Sequence, residues 1–88
     1  MTYTIFLSSK AERQIKKIPK DVRERIREGL LKLAENPYRK GTIKVKGTDN
    51  IRRLRVGRYR VLYVVLEGKK EVLVVKVEKR EESTYKRL

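Results

Sequence analysis

The chain has 88 residues, 25 of them Lys or Arg against 11 Asp or Glu, a formal net charge of +14, and neither cysteine nor histidine. Disulfides, thiolate nucleophiles, histidine bases and the common zinc sites are therefore excluded, and the charge points to a polyanionic partner, nucleic acid first. The longest unbroken apolar run, Val61 to Leu66, is far short of the ~20 residues that span a bilayer. No basic segment precedes the short apolar stretch after Met1, so neither membrane attachment nor a secretory signal is expected, and the cytoplasm is the default compartment.

The length suits one domain, 1–88. Residues 3–7 (YTIFL) read as a short strand with Tyr3, Ile5 and Leu7 on one face. Ser9, three residues before Glu12, makes an S-x-x-E capping box that opens a helix, and Ala11, Ile15 and Ile18 repeat at i, i+4 and i+7 as its buried stripe. Pro19 closes that helix or starts the next, because proline is tolerated in a first turn but not in a helix interior. The second helix is expected from Lys20 to Glu35, with Val22, Ile26, Leu30 and Leu33 facing inward, the stripe widened by Leu31 and Ala34, and Asn36-Pro37 as its stop. The connector 38–50 holds Gly41 and Gly47, and its Ile43-Lys44-Val45-Lys46 alternation is compatible with a brief pairing to the sheet.

The stretch 51–66, IRRLRVGRYRVLYVVL, carries the strongest local signal. Gly57-Arg58 breaks two apolar-rich segments and, with Gly first, suits a type II′ hairpin turn. Val56 then faces Tyr59, Arg55 faces Arg60, Leu54 faces Val61 and Arg53 faces Leu62. Directly opposed residues share a face and faces alternate with period two. Val56, Tyr59, Leu54, Val61 and Tyr63 therefore gather on one side, and Arg53, Arg55 and Arg60 on the other. Like charges set side by side repel, so a face built this way suits an anion.

Gly68-Lys69 marks a second turn before a third long strand, EVLVVKV at 71–77. Its register follows from the loop length. An odd loop puts Val75 and Val77 on the helix-covered face and Lys76 with the arginines; an even loop sends Lys76 toward the core, which is costly for an ammonium. The odd loop is expected. The tail beyond Val77 alternates charge and lacks an apolar period. The fold class is α+β: an N-terminal strand and an antiparallel helix pair packed on one face of a mainly antiparallel, four-stranded twisted sheet.

Catalysis, if present, must be built from Arg, Lys, Tyr, Ser and backbone. One reaction suits that inventory. In RNA the 2′-hydroxyl attacks its own neighbouring phosphodiester, so the protein need supply neither nucleophile nor metal. It must stabilise the extra negative charge on phosphorus, a task for the bidentate guanidinium fork, and move protons. A tyrosine among guanidinium groups is favoured as phenolate and can serve as a base; Tyr85, five residues after Arg80, is the candidate.

The element order, with KKIPKDVRERI across the helix break, K-G-T-D-N closing the connector, RRLRVGRYRVLYVV in the hairpin and K-R-E-E-S-T-Y in the tail, resembles the RelE/ParE toxin superfamily over nearly the whole chain. The most specific parts are R-x-G-x-Y-R-x-x-Y at 55–63 and the K-R-x-x-S tail leading into Tyr85. The resemblance implies the toxin of a type II toxin–antitoxin pair. RelE-like members cut messenger RNA in the ribosomal A site by the 2′-hydroxyl route, with no metal and no cofactor. Carried over by position, Arg60, Arg80 and Tyr85 form the catalytic set, the two arginines on the scissile phosphate. Arg53 and Arg55 fall where that branch places basic strand residues, often lysines; arginine transfers protons poorly, so charge stabilisation is their expected part. With Lys44, Lys46 and Lys76 they make up the expected phosphate-binding set. ParE-like relatives share the fold, poison DNA gyrase, and generally lack this Arg/Tyr set. A gyrase inhibitor and a non-catalytic basic RNA-binding module are thus the alternatives. The implied partners are ribosome-bound mRNA, with ribosomal RNA contacts, and a small acidic antitoxin covering the apolar Leu62, Val64 and Leu66 beside the arginines, in a heterodimer or heterotetramer.

Overall fold

The computed structural model describes residues 2–79. The chain runs β1 (Thr4–Leu7), α1 (Ser9–Lys16), α2 (Lys20–Glu35), β2 (Thr42–Lys44), β3 (Ile51–Val56), β4 (Tyr59–Leu66) and β5 (Glu71–Lys79). It is an α+β fold whose sheet has the order β1-β5-β4-β3-β2, antiparallel throughout except that β1 lies parallel to β5. The sheet has five strands because the connector does pair: Thr42, Ile43 and Lys44 lie opposite Leu54, Arg53 and Arg52. No helix among the described residues is long and apolar enough to cross a membrane.

The helices start and stop where local chemistry directs. Ser8, not Ser9, caps α1. Its Oγ accepts from the Ala11 N–H at 3.0 Å and donates to the Val75 carbonyl at 3.0 Å, while its own N–H donates to the Val74 carbonyl. The cap thereby ties the helix to β5, which decides between two adjacent serines that sequence alone cannot separate. Pro19 is the N-cap of α2, and Asn36 its C-cap. The stripes are narrower than expected, since Leu31 is 56% exposed and Leu7 does not follow Tyr3 and Ile5 inward.

Ala11, Ile18, Ile26 and Leu33 from the helical layer close on Val61, Tyr63, Val72, Val74 and Val77 of the sheet. Tyr63 is fully buried, and its hydroxyl donates to the Pro37 carbonyl at 2.6 Å, so the one polar atom it takes into the core has a partner.

The β3–β4 hairpin has the expected register, Val56↔Tyr59, Arg55↔Arg60, Leu54↔Val61 and Arg53↔Leu62. Gly57 has φ +58° while Arg58 stays at negative φ, the type II′ signature. The next loop departs from expectation. Leu66 pairs with Glu71, leaving the four residues 67–70, an even number, between them. A regular ladder would then carry Lys76 inward. Instead a β-bulge intervenes: Tyr63 pairs with Val74 and Leu62 with Lys76, so Val75 is the extra residue. Val72, Val74 and Val77 are buried, Lys76 still faces outward, and Val75, expected inside, is only half-buried.

Candidate nucleic-acid interface

The helices leave the other face of the sheet open, and the pairing sorts that face into three rungs. The rung nearest the hairpin turn runs Arg55–Arg60–Glu78. The middle rung runs Ile43–Arg53–Leu62–Lys76. The third is wholly apolar, Ile51–Val64–Leu73–Phe6, across four strands. Opposed side chains have Cβ atoms ~5 Å apart, and diagonal neighbours such as Arg53 and Arg60 lie within about 7–8 Å. Four cations thus share one small area.

The charges are not left to repel. Glu78 reaches Arg60 Nη2 at 3.6 Å and Lys76 Nζ at 3.0 Å. Its carboxylate occupies the seat that a bound anion would take between those two groups. The Arg60 Nε is buried and has no hydrogen-bond partner among the described residues, so the guanidinium presents only its outer nitrogens, one of them held by Glu78. A charge held in a defined orientation stabilises developing negative charge without a further reorganisation cost.

Arg53, Arg55, Arg60 and Lys76 are therefore brought together. Lys46 flanks them, lining with Arg53 and Ile43 a shallow depression of ≈ 680 Å³ beside β2. Lys44 does not join the four. Its pairing with Arg52 gives it the parity of Leu54 and Thr42, the helix-covered side of the sheet, although at this edge it still reaches the rim of the same depression. Arg80 and Tyr85 lie outside the described residues; the strand leading to them ends at Lys79, opposite Tyr59 and one rung from Arg60. Sequence reasoning missed Glu78. A signal for it exists, since it lies two residues beyond Lys76 and so shares its face.

A second polar cluster lies at the far end of the sheet. The Glu67 carboxylate accepts from the Tyr3 hydroxyl at 3.0 Å and from the Tyr38 hydroxyl, and Lys70 Nζ lies at 3.5 Å. Arg52 stacks over Tyr38 and Lys70 over Tyr3, each 5.1 Å from the ring centre. The hydrogen bond to Glu67 pushes the Tyr38 phenol up to about 12, and the same bond holds the Glu67 carboxyl below its usual range. The cluster fastens the β1 approach, the connector and the β4–β5 loop to one another. Both phenols are committed as donors, so its role is structural rather than catalytic.

The fold is that of a small α+β protein with a guanidinium-lined sheet face that no element covers among the described residues. Residues 5–84 match the family described as ParE toxin of the type II toxin–antitoxin system parDE, and the chain belongs to that family. Among its relatives the RelE1 protein of Methanocaldococcus jannaschii, a toxin by its description, is 27% identical over 84 residues, 92% of this chain and 93% of that one. The fold is similar to the archaeal RelE–RelB complex of Pyrococcus horikoshii (28% identity, 93% of this chain and 99% of that one, TM-score 0.81). It is equally similar to the isolated RelE toxin of E. coli (26% identity, 91% and 86%, TM-score 0.82). Within the RelE/ParE superfamily the chain is thus a RelE-like toxin.

Proposed function

We propose that this toxin, with 1–88 acting as one domain, is an endoribonuclease that cuts messenger RNA in the ribosomal A site. The observation that carries the reading is the convergence of Arg53, Arg55, Arg60 and Lys76 on one open face. The 2′-oxygen attacks the adjacent phosphorus, the bond to the 5′-oxygen breaks, and a 2′,3′-cyclic phosphate and a 5′-hydroxyl result. Arg60 and Arg80 stabilise the charge on the pentacoordinate phosphorus, Arg53 and Arg55 hold flanking phosphates, and Tyr85 moves a proton. Such a substrate implies a cytoplasmic protein.

The natural partner is an antitoxin, as in the RelBE toxin–antitoxin complex of E. coli. The rung Ile51–Val64–Leu73–Phe6 beside the cations suits an acidic chain with an apolar stripe. The test is incubation of programmed ribosomes with purified protein, in which wild type yields A-site cuts while Arg80→Ala and Tyr85→Phe lose rate and keep the fold. The parDE description of the family favours a second reading, inhibition of DNA gyrase. A supercoiling assay separates the two: inhibited supercoiling without ribosomal cleavage replaces the first reading with the second.

A further inference from the structure

Cleavage by the 2′-hydroxyl needs a group that takes its proton, and the four cations of the open face, Arg53, Arg55, Arg60 and Lys76, do not supply one. A guanidinium stays charged, and an ammonium held by a carboxylate keeps its proton. The sheet register puts two carboxylates on that face. Glu71 lies beyond the apolar rung, opposite Leu66, whereas Glu78 stands among the cations, opposite Arg60. The bulge sets it there. After the even loop a regular ladder would turn Lys76 and Glu78 inward together, and the extra residue Val75 turns both back outward. The two oxygens of Glu78 have different partners. Oε2 lies 3.0 Å from Lys76 Nζ and Oε1 lies 3.6 Å from Arg60 Nη2, so the contact with Arg60 is the looser. A phosphate oxygen arriving at Arg60 displaces Oε1 alone, while Lys76 keeps the carboxylate beside the phosphate. Oε1 then has a lone pair free next to the sugar whose 2′-oxygen neighbours that phosphorus.

We infer that Glu78 is a catalytic residue, the general base that takes the proton of the attacking 2′-hydroxyl; the inference rests on the ribonuclease reading. The O2′–H bond breaks with its proton passing to Glu78 Oε1, the O2′–P bond forms and the P–O5′ bond breaks. The leaving 5′-oxygen receives its proton from the Tyr85 phenol. Water then takes the proton from Glu78 and returns one to Tyr85, so the protein ends as it began. The arginines supply charge, and the carboxylate steadied by Lys76 supplies the acceptor that they lack.

The test is single-turnover cutting on programmed ribosomes by wild type, Glu78→Gln and Glu78→Asp, with binding read separately on an RNA oligonucleotide that carries a 2′-deoxy sugar at the cleavage step. Glu78→Gln should cut about 10²–10⁴ times more slowly, the usual contribution of a positioned base. Its binding should not weaken, and Glu78→Asp should regain part of the rate. The pH profile separates a base from a side chain that only orients Arg60. Glu78 meets Arg60 on β4, with Arg55 beyond it on β3, and Lys76 on its own strand; β1 pairs with β5 no further than Val74. All three neighbours are cations that stay charged near neutral pH. Without its base the variant depends on hydroxide, so the ratio of wild-type to Glu78→Gln rates should shrink by up to about tenfold per pH unit from about pH 6 to 8.5. A Glu78→Gln variant that cuts at the wild-type rate, or a ratio constant with pH, would overturn the inference and leave the ribonuclease reading standing. A wild-type protein that leaves ribosomal mRNA whole would overturn both.

Discussion

Glu78 faces Arg60 across the β4–β5 pair, its carboxylate 3.6 Å from the guanidinium, while Arg55 holds the corresponding place on the β3 side. Arg60 thus sits between a like charge and an opposite one, and the opposite one is shared with Lys76 at 3.0 Å. The protein carries its own counter-ion at the point where an RNA phosphate is proposed to bind.

Replacing Glu78 by Gln should therefore tighten RNA binding. Both partners are about a third exposed, and such ion pairs contribute ~0.2–1 kcal/mol, so the gain should be at most about fivefold. Anisotropy with an oligonucleotide carrying a 2′-deoxy sugar at the cleavage step measures it without turnover. Weaker binding would mean that Glu78 orients Arg60 rather than competing for it.

Tyr63→Phe should destabilise the fold without touching the open face. Removing the hydroxyl leaves the Pro37 carbonyl without its donor in a fully buried setting. A buried group left unpaired costs about 1–3 kcal/mol. Urea unfolding followed by circular dichroism should show a lower midpoint at unchanged slope.

Stability should depend on pH through Tyr38 and Glu67. The Tyr38 phenol is raised, so its contribution is complete below its ordinary value near 10 and fades as pH rises from there toward about 12. Glu67 is depressed, so its contribution is complete above its ordinary value and fades as pH falls through its lowered one. The melting-temperature gap between wild type and Tyr38→Phe should be flat across neutral pH and shrink at both extremes. A gap that persists unchanged into strong acid would show that the bond to Glu67 is not its source.

Deleting Val75 should leave the protein folded, an unusual outcome for a deletion inside a strand. Tyr63↔Val74 and Leu62↔Lys76 would become consecutive rungs of a regular ladder, and every later side chain would keep its face. The damage falls on the tie between Ser8 and β5, since Ser8 Oγ donates to the Val75 carbonyl, at a cost of ~1 kcal/mol for one hydrogen bond. Circular dichroism and a thermal melt check it, and an unfolded product would show that the bulge itself is required.

The same region marks the boundary of what the sequence discloses. Gly57-Arg58 with Val56 and Tyr59 beside it suffices for the hairpin register, because alternation and turn chemistry agree there. The run Val72 to Val75 is apolar throughout, so it contains no phase from which a bulge can be read. The outward placement of Lys76 follows from the cost of burying an ammonium, and it holds although the loop is even. Lys44 goes to the helix side because Thr42 pairs with Leu54, a choice of register that a three-residue edge strand does not advertise. The arginine convergence is legible in the sequence; its counter-ion depends on which strands neighbour which, and that is tertiary information.

The central claim is that Arg60 supplies transition-state charge to ribosomal cleavage of mRNA. Single-turnover cutting on programmed ribosomes, comparing wild type with Arg60→Ala of verified fold, tests it most directly. Loss of one such stabilising group costs about 10²–10³ in rate, and that loss, with the cut position unchanged, is the predicted result. Cleavage by Arg60→Ala at the wild-type rate would contradict the account.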